Sequence, residues 1–300
     1  MLEAVRRAVA AALAILLAVG MVGCAGDDAL QEEDKTDKFE VKETFVQRGE
    51  LTIYGKLYLP TDREGRIPAV ILSHSSGLDC DSMQPYCEEF ANRGYAAYAF
   101  DFCGGSSHSK SDGEEADMTV FTETDDLKAV FEEISSFGFV DSDEVYLFGT
   151  SQGGLVSALA ANDLADRVKG LILLYPAFNI PELVGKYESV ANSVLGQLGI
   201  TLANEKFVES LKGYDPYAHI ANFHGEVLIL HGSQDFIVNP SYSQKAAEVY
   251  DHCEVKIIEG ATHGFNAANQ VLFGNYDARV WEEIDAYLAR QSADADGASI

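Results

Sequence analysis

Ser151, Asp235 and His263 are the residues of this chain whose types, order and local settings suit one reaction. A serine hydroxyl attacks poorly until a base takes its proton. The base works best when a carboxylate holds it in one tautomer and one orientation. Ser151 lies in Gly149-Thr150-Ser151-Gln152-Gly153, directly after the apolar run Val145-Tyr146-Leu147-Phe148 and before Gly154 and the helix-forming Leu155-Val156-Ser157-Ala158-Leu159-Ala160. Strand, sharp turn and helix in that order lift a hydroxyl clear of a sheet, and glycine two residues to either side leaves room for the neighbouring strand and helix. Asp235 follows the run Val227-Leu228-Ile229-Leu230, in His231-Gly232-Ser233-Gln234-Asp235. His263 follows Val255-Lys256-Ile257-Ile258, in Gly260-Ala261-Thr262-His263-Gly264-Phe265. Each of the three closes a strand, which brings them to one edge of a sheet. The chemistry expected there is acyl transfer, with Ser151 as nucleophile, His263 as base and Asp235 as the orienting acid.

A tetrahedral intermediate also needs N–H donors on its oxyanion, each worth roughly 3 kcal/mol in the transition state. The backbone of Gln152, after the nucleophile, supplies one. The other is expected from the loop His74-Ser75-Ser76-Gly77, with Ser76 the first choice and Ser75 the second. His74 and His231 also end strands, but each precedes a sharply turning loop and reads as a structural hydrogen-bonder. Asp101 reads as a brace for its own loop, because Asp235 is the aspartate that directly precedes the His-bearing strand. No Cys/His spacing matches a zinc site, and neither metal nor cofactor is expected.

The elements that must position these residues are legible as short apolar runs: Ala69-Val70-Ile71-Leu72, Ala96 to Phe100, Val145 to Phe148, Leu171-Ile172-Leu173-Leu174, Val227 to Leu230 and Val255 to Ile258. Runs of this kind fit parallel strands covered on both faces. Alternation between Val41 and Leu59 predicts an antiparallel pair ahead of them. A helix from about Thr124 places Leu127, Phe131 and Ile134 on one side, and a last helix does the same with Val280, Ile284, Tyr287 and Leu288. The pattern predicts an α/β fold with a mostly parallel, doubly wound sheet. About fifty residues, 177–225, break the rhythm; they exceed a simple crossover and predict an inserted cap over the carboxyl ends of the strands. Tyr187, Phe207, Tyr214 and Tyr217 lie in it, either lining an acyl pocket or packing the cap against the body.

Charge and cysteine usage narrow the setting. Against 21 Lys+Arg stand 48 Asp+Glu, for a net charge of −27, and no basic run occurs in the folded region. Nucleic acid is excluded as a partner on that ground, and a bulk polyanionic substrate is disfavoured. Residues 1–23 carry Arg6 and Arg7, then an apolar run from Ala8 to Val22, and read as an export signal rather than part of the fold. Met21-Val22-Gly23-Cys24 resembles a bacterial lipobox, which predicts export with lipid anchoring at Cys24 to the cell surface or envelope, or else plain secretion. Residues 24–40 read as a flexible acidic tether, 41–290 as the folded domain and 291–300 as a disordered tail. Cys80, Cys87, Cys103 and Cys253 are compatible with a disulfide or with free thiols.

These stretches together resemble the α/β-hydrolase superfamily, and within it the bacterial cinnamoyl (feruloyl) esterase-like serine hydrolases. The likeness runs over about residues 41–290. It is carried by Ala69 to Gly77, Tyr98 to Ser106, Asp117-Met118-Thr119-Val120, the serine turn with Gly153-Gly154, and the loops of Asp235 and His263. His74-Ser75 stands where that family has His-Gly. The resemblance implies an α/β-hydrolase fold with a small inserted cap, and hydrolysis of carboxylic esters through an acyl-enzyme without cofactor. It also implies Ser151, Asp235 and His263 in the roles already given them. A small-molecule or carbohydrate-linked ester is the expected substrate. A lipase or lysophospholipase, a prolyl-oligopeptidase-like peptidase and a catalytically silent surface binding lipoprotein stand beside it as alternatives.

Overall fold

The computed structural model describes residues 38–190, 204–265 and 276–297; the expected signal segment, Cys24, most of the tether and the helical piece expected up to Leu198 lie outside them. Eight strands form one sheet: β1 (Phe39–Arg48), β2 (Leu51–Pro60), β3 (Ile67–Ser73), β4 (Ala96–Phe100), β5 (Val140–Thr150), β6 (Gly170–Leu174), β7 (Glu226–Gly232) and β8 (Cys253–Ile258). Their spatial order is β1-β2-β4-β3-β5-β6-β7-β8. β1 pairs antiparallel with β2, and β2 antiparallel with β4; every later pairing is parallel. This is the mostly parallel, doubly wound sheet behind an antiparallel pair that the alternating runs predict, and the α/β-hydrolase arrangement that the resemblance implies. β1 begins at Phe39, so the last two residues of the expected tether belong to the sheet.

Period-two alternation sends side chains from each central strand to opposite faces. Ala69, Ile71, Leu171 and Leu173 enter one core, which holds the helices α2 (Val120–Ser135) and α3 (Gln152–Leu164). Val70, Leu72, Ile172 and Leu174 enter the other, closed by α1 (Gln84–Asn92) and by α8 (Asp277–Gly297), the last helix of the chain. Phe90 of α1 and Ile284 of α8 are fully buried there. Being covered on both faces is why these strands read as continuous apolar runs.

α2 starts four residues earlier than the periodicity suggested. Thr119 caps it: its hydroxyl accepts the Thr122 N–H at 3.0 Å, and the Thr122 hydroxyl accepts the Thr119 N–H at 2.8 Å. That reciprocal cap satisfies two orphan donors and fixes the first turn. At the other end of the chain the expected tail is corrected at its start. α8 runs through Gly297, Gln291 is buried, and helix-favouring Ala293 and Ala295 prolong the segment.

In the stretch expected as a cap, β6 leads through Tyr175 and Pro176 into α4 (Ile180–Val190); α5 (Glu205–Ser210) and α6 (Pro216–Ile220) precede β7, and α7 (Ser241–Ala247) follows it. Asn204 Nδ2 donates to the carbonyls of Glu115 and Met118, both at 2.7 Å, which ties this stretch to the loop between β4 and α2. Phe207 is buried, Tyr214 meets Phe121 at a centroid distance of 4.9 Å, and Tyr217, stacked on Phe178 of the same segment at 5.5 Å, donates its hydroxyl to Tyr242 O at 3.2 Å. All three pack the segment against the body. The side chain of Tyr187 lies outside the described residues.

Candidate active site

Ser151 sits between the last residue of β5 and the first of α3, with φ 51° and ψ −115°. A non-glycine residue in that region carries roughly 1–3 kcal/mol of strain, which the surrounding hydrogen bonds must hold. They do so on both sides of the peptide. Ser151 N–H donates to Leu174 O at 3.0 Å, and Ser151 O accepts from Gly154 at 3.0 Å and Ala177 at 2.8 Å. Close approach explains the glycines. A Cβ at Gly149 would lie 2.3 Å from Gly153 O, and one at Gly153 would lie 2.3 Å from Ser73 O and 2.4 Å from His74 O. Gly153→Ala is therefore expected to lower stability by about 2 kcal/mol or more, read as a fall in Tm. Gly185→Ala is the matched control: a Cβ there meets nothing within 4 Å, so the helix-favouring alanine should leave Tm unchanged or raise it.

The three distant side chains form one hydrogen-bonded chain. His263 Nε2 is 3.1 Å from Ser151 Oγ, and His263 Nδ1 is 2.7 Å from Asp235 Oδ2. The carboxylate accepts only, so His263 donates from Nδ1 and presents Nε2 as the acceptor of the serine proton. Burial acts to raise Asp235, but hydrogen bonds from His231, His263 and the Val238 backbone outweigh it and hold the carboxyl well below the usual range. Asp235 Oδ1 accepts the N–H groups of Ile237 and Val238, each at 2.9 Å. Both carboxylate oxygens are thus engaged, and the orientation of the side chain is fixed. The cluster is arranged to move a proton off Ser151 while its hydroxyl attacks an electrophile.

The loop after β3 lies against this turn, as the predicted donor loop must. Ser75 Oγ is 2.9 Å from Thr150 Oγ1, while Ser76 is exposed at the loop's tip. Among the described residues no hydrogen bond takes the backbone N–H of Ser76 or of Gln152, the first residue of α3. His74 donates from Nδ1 to Ser75 O at 2.8 Å and accepts the Phe102 N–H at Nε2, so it braces two loops. Asp101 does likewise, accepting the N–H of Cys80 at 2.8 Å and of Lys110 at 2.7 Å. Cys80, Cys87, Cys103 and Cys253 are free thiols, and no metal-holding cluster occurs among the described residues.

Three contacts at the site were not legible from the motifs. His231 is wholly buried; it donates from Nε2 to Val238 O at 2.9 Å and accepts from Ser243 Oγ at Nδ1. The same Nε2 lies 3.2 Å from Asp235 Oδ2, so His231 supports the acid as well as its loop. Tyr175, with φ 41°, packs its ring 4.5 Å from the His263 ring. Gln152 Nε2 donates to the buried carboxyl of Glu123 at 2.8 Å. The (i, i+4) spacing of His231 and Asp235 could have signalled the first; nothing local signals the other two.

The family model described as serine aminopeptidase, S33, matches residues 66–210. A protein of Pseudomonas aeruginosa is 30% identical over 152 residues, which are 47% of this chain and 39% of that protein. The chain therefore matches well under half the length of that curated relative. The solved structure of that protein has a TM-score of 0.62 at 17% identity, covering 89% of this chain and all of the other. Est1E from Butyrivibrio proteoclasticus, solved with ferulic acid bound, gives a TM-score of 0.68 at 24% identity, over 83% of this chain and 99% of Est1E. An esterase from Pyrococcus furiosus gives 0.62 at 18% identity, over 88% and 96% of the two chains.

Proposed function

We propose that this chain, an α/β-hydrolase in fold and esterase-like in its structural relatives, is a serine hydrolase that cleaves carboxylic esters through an acyl-enzyme. The observation that carries the reading is the unbroken Ser151–His263–Asp235 chain at 3.1 and 2.7 Å. Ser151 Oγ attacks the ester carbonyl as His263 Nε2 takes its proton. The backbone N–H groups of Gln152 and Ser76 receive the developing oxyanion. His263 then protonates the departing alcohol, and later activates the water that frees the acid and restores the serine. Asp235 stays ionised throughout and keeps Nδ1–H pointed at itself.

Small acyl esters, feruloyl and related hydroxycinnamoyl esters among them, are the substrate class we favour, by likeness to Est1E. The export segment over residues 1–23 and a lipid anchor at Cys24 belong to the same proposal, and place the reaction at the cell envelope. The same geometry serves amides, and the matching family model carries an aminopeptidase description. The deciding experiment is turnover of acetyl, butyryl, feruloyl and long-chain esters, beside an aminoacyl anilide. Short-chain or feruloyl esters should give kcat/KM at least about a hundredfold above both the long-chain ester and the anilide. A preference for the anilide, or for long chains, would overturn the assignment of substrate class.

A further inference from the structure

We propose that Glu123 is a positioning residue for hydrolysis: its carboxyl holds the Gln152 side chain and so keeps the Gln152 backbone N–H aimed at the carbonyl oxygen that Ser151 attacks. The inference rests on the serine-hydrolase reading above. Glu123 lies in the first turn of α2, is 1% exposed, and forms no ion pair among the described residues. A buried carboxyl without a cation is costly to keep, and purely structural packing is better served by an apolar side chain. What this carboxyl does have is one directed contact, from Gln152 Nε2 at 2.8 Å. Gln152 is the first residue of α3, so its side chain and its backbone N–H are set by the same peptide. The side chain is anchored inward and the N–H has no hydrogen-bond partner within the described residues. The anchor is itself stiff, because the reciprocal Thr119–Thr122 cap fixes the turn that carries Glu123.

The protonation of this group matters to the reaction. Burial, helped by Asp126 and opposed by the Gln152 hydrogen bond, pushes Glu123 up to about 8. Asp126, on the same helix, is the charged group that faces it. Asp126 is paired with Arg48 of β1 and accepts the Cys103 N–H from the loop after β4, while α3 meets Glu123 with the uncharged Gln152. At neutral pH Glu123 is therefore a neutral acid beside the site of oxyanion formation. As pH rises through about 8 it becomes a buried anion there, and a negative charge opposes the growing negative oxygen.

The test is hydrolysis of a short p-nitrophenyl ester from pH 6 to 9.5 by the wild type, Glu123→Gln and Glu123→Ala, with phenylboronic acid as a tetrahedral-adduct probe at pH 7. Wild-type kcat should fall about tenfold between neutrality and pH 9. Glu123→Gln keeps an oxygen acceptor for Gln152 and cannot ionise; it should stay within about threefold of wild type at pH 7 and lose the alkaline fall. Glu123→Ala should lower kcat roughly ten- to hundredfold with KM little changed, and weaken phenylboronic acid by a matching factor. If the alanine variant does not fold, the pH profile of the glutamine variant decides alone. An alkaline fall that persists in Glu123→Gln, or a kcat loss in Glu123→Ala with unaltered boronate affinity, overturns the positioning role. Either outcome leaves the hydrolase reading intact; that reading fails separately, if Ser151→Ala retains activity.

Discussion

Ser151→Ala should lower kcat/KM for the preferred ester by about 10⁴- to 10⁶-fold, with no loss of folded protein. The hydroxyl is the one atom removed, and it is the atom 3.1 Å from His263 Nε2. The backbone has reason to stay in place: the Ser151 peptide is held by Leu174, Gly154 and Ala177 through backbone hydrogen bonds that do not use the side chain. Alanine meets the same strain at φ 51° as serine does, so Tm should move by no more than about 2 °C. Rates of ester hydrolysis beside a thermal melt test both halves. A variant that melts normally and still turns over at more than a tenth of the wild-type rate removes Ser151 from the mechanism.

The second large effect is expected from Asp235→Asn. Asp235 Oδ1 accepts two backbone N–H groups, from Ile237 and Val238, so the single carbonyl oxygen of asparagine must take that position. Its NH₂ group then replaces Oδ2 and points at His263 Nδ1 and His231 Nε2. Facing a donor, His263 must accept at Nδ1 and carry its proton on Nε2, where it can no longer take one from Ser151. The wrong tautomer should lower kcat by roughly 10⁴-fold at neutral pH. His231 Nε2–H also faces the new donor, so stability should fall by about 1–3 kcal/mol. Steady-state kinetics at pH 7 to 8 with a urea titration would measure both. Near-wild-type kcat in a folded variant would mean that the tautomer of His263 is not set by this carboxyl.

Most of the sheet was readable because its strands are buried on both faces and stand out as apolar runs between amphipathic helices. The Gly149–Gly153 turn, and the loops of Asp235 and His263, were readable because each follows such a run directly. Strand ends specify direction, and a parallel sheet gathers those ends at one edge. The start of α2 is not marked by its apolar stripe, which begins later than the Thr119–Thr122 cap that nucleates the helix. The course of α8 past residue 290 is hidden for a related reason, since the residues beyond Leu288 continue the helix without an apolar stripe. Contacts such as Tyr175 with His263, and Glu123 with Gln152, join residues from different elements. They depend on the packing of a strand end on a loop and of one helix on another, which no local pattern encodes.

The acyl-enzyme is the intermediate on which the whole reading turns, and it carries a mass. The protein should be mixed with a fluorophosphonate, or rapidly quenched with a slowly deacylating ester, then digested and mapped by mass spectrometry. One adduct per chain is expected, on the peptide that contains Ser151, and it should be absent from Ser151→Ala and strongly slowed in His263→Ala. An active preparation that labels at another residue, or that turns over ester with Ser151 unmodified under every quench, would contradict the account.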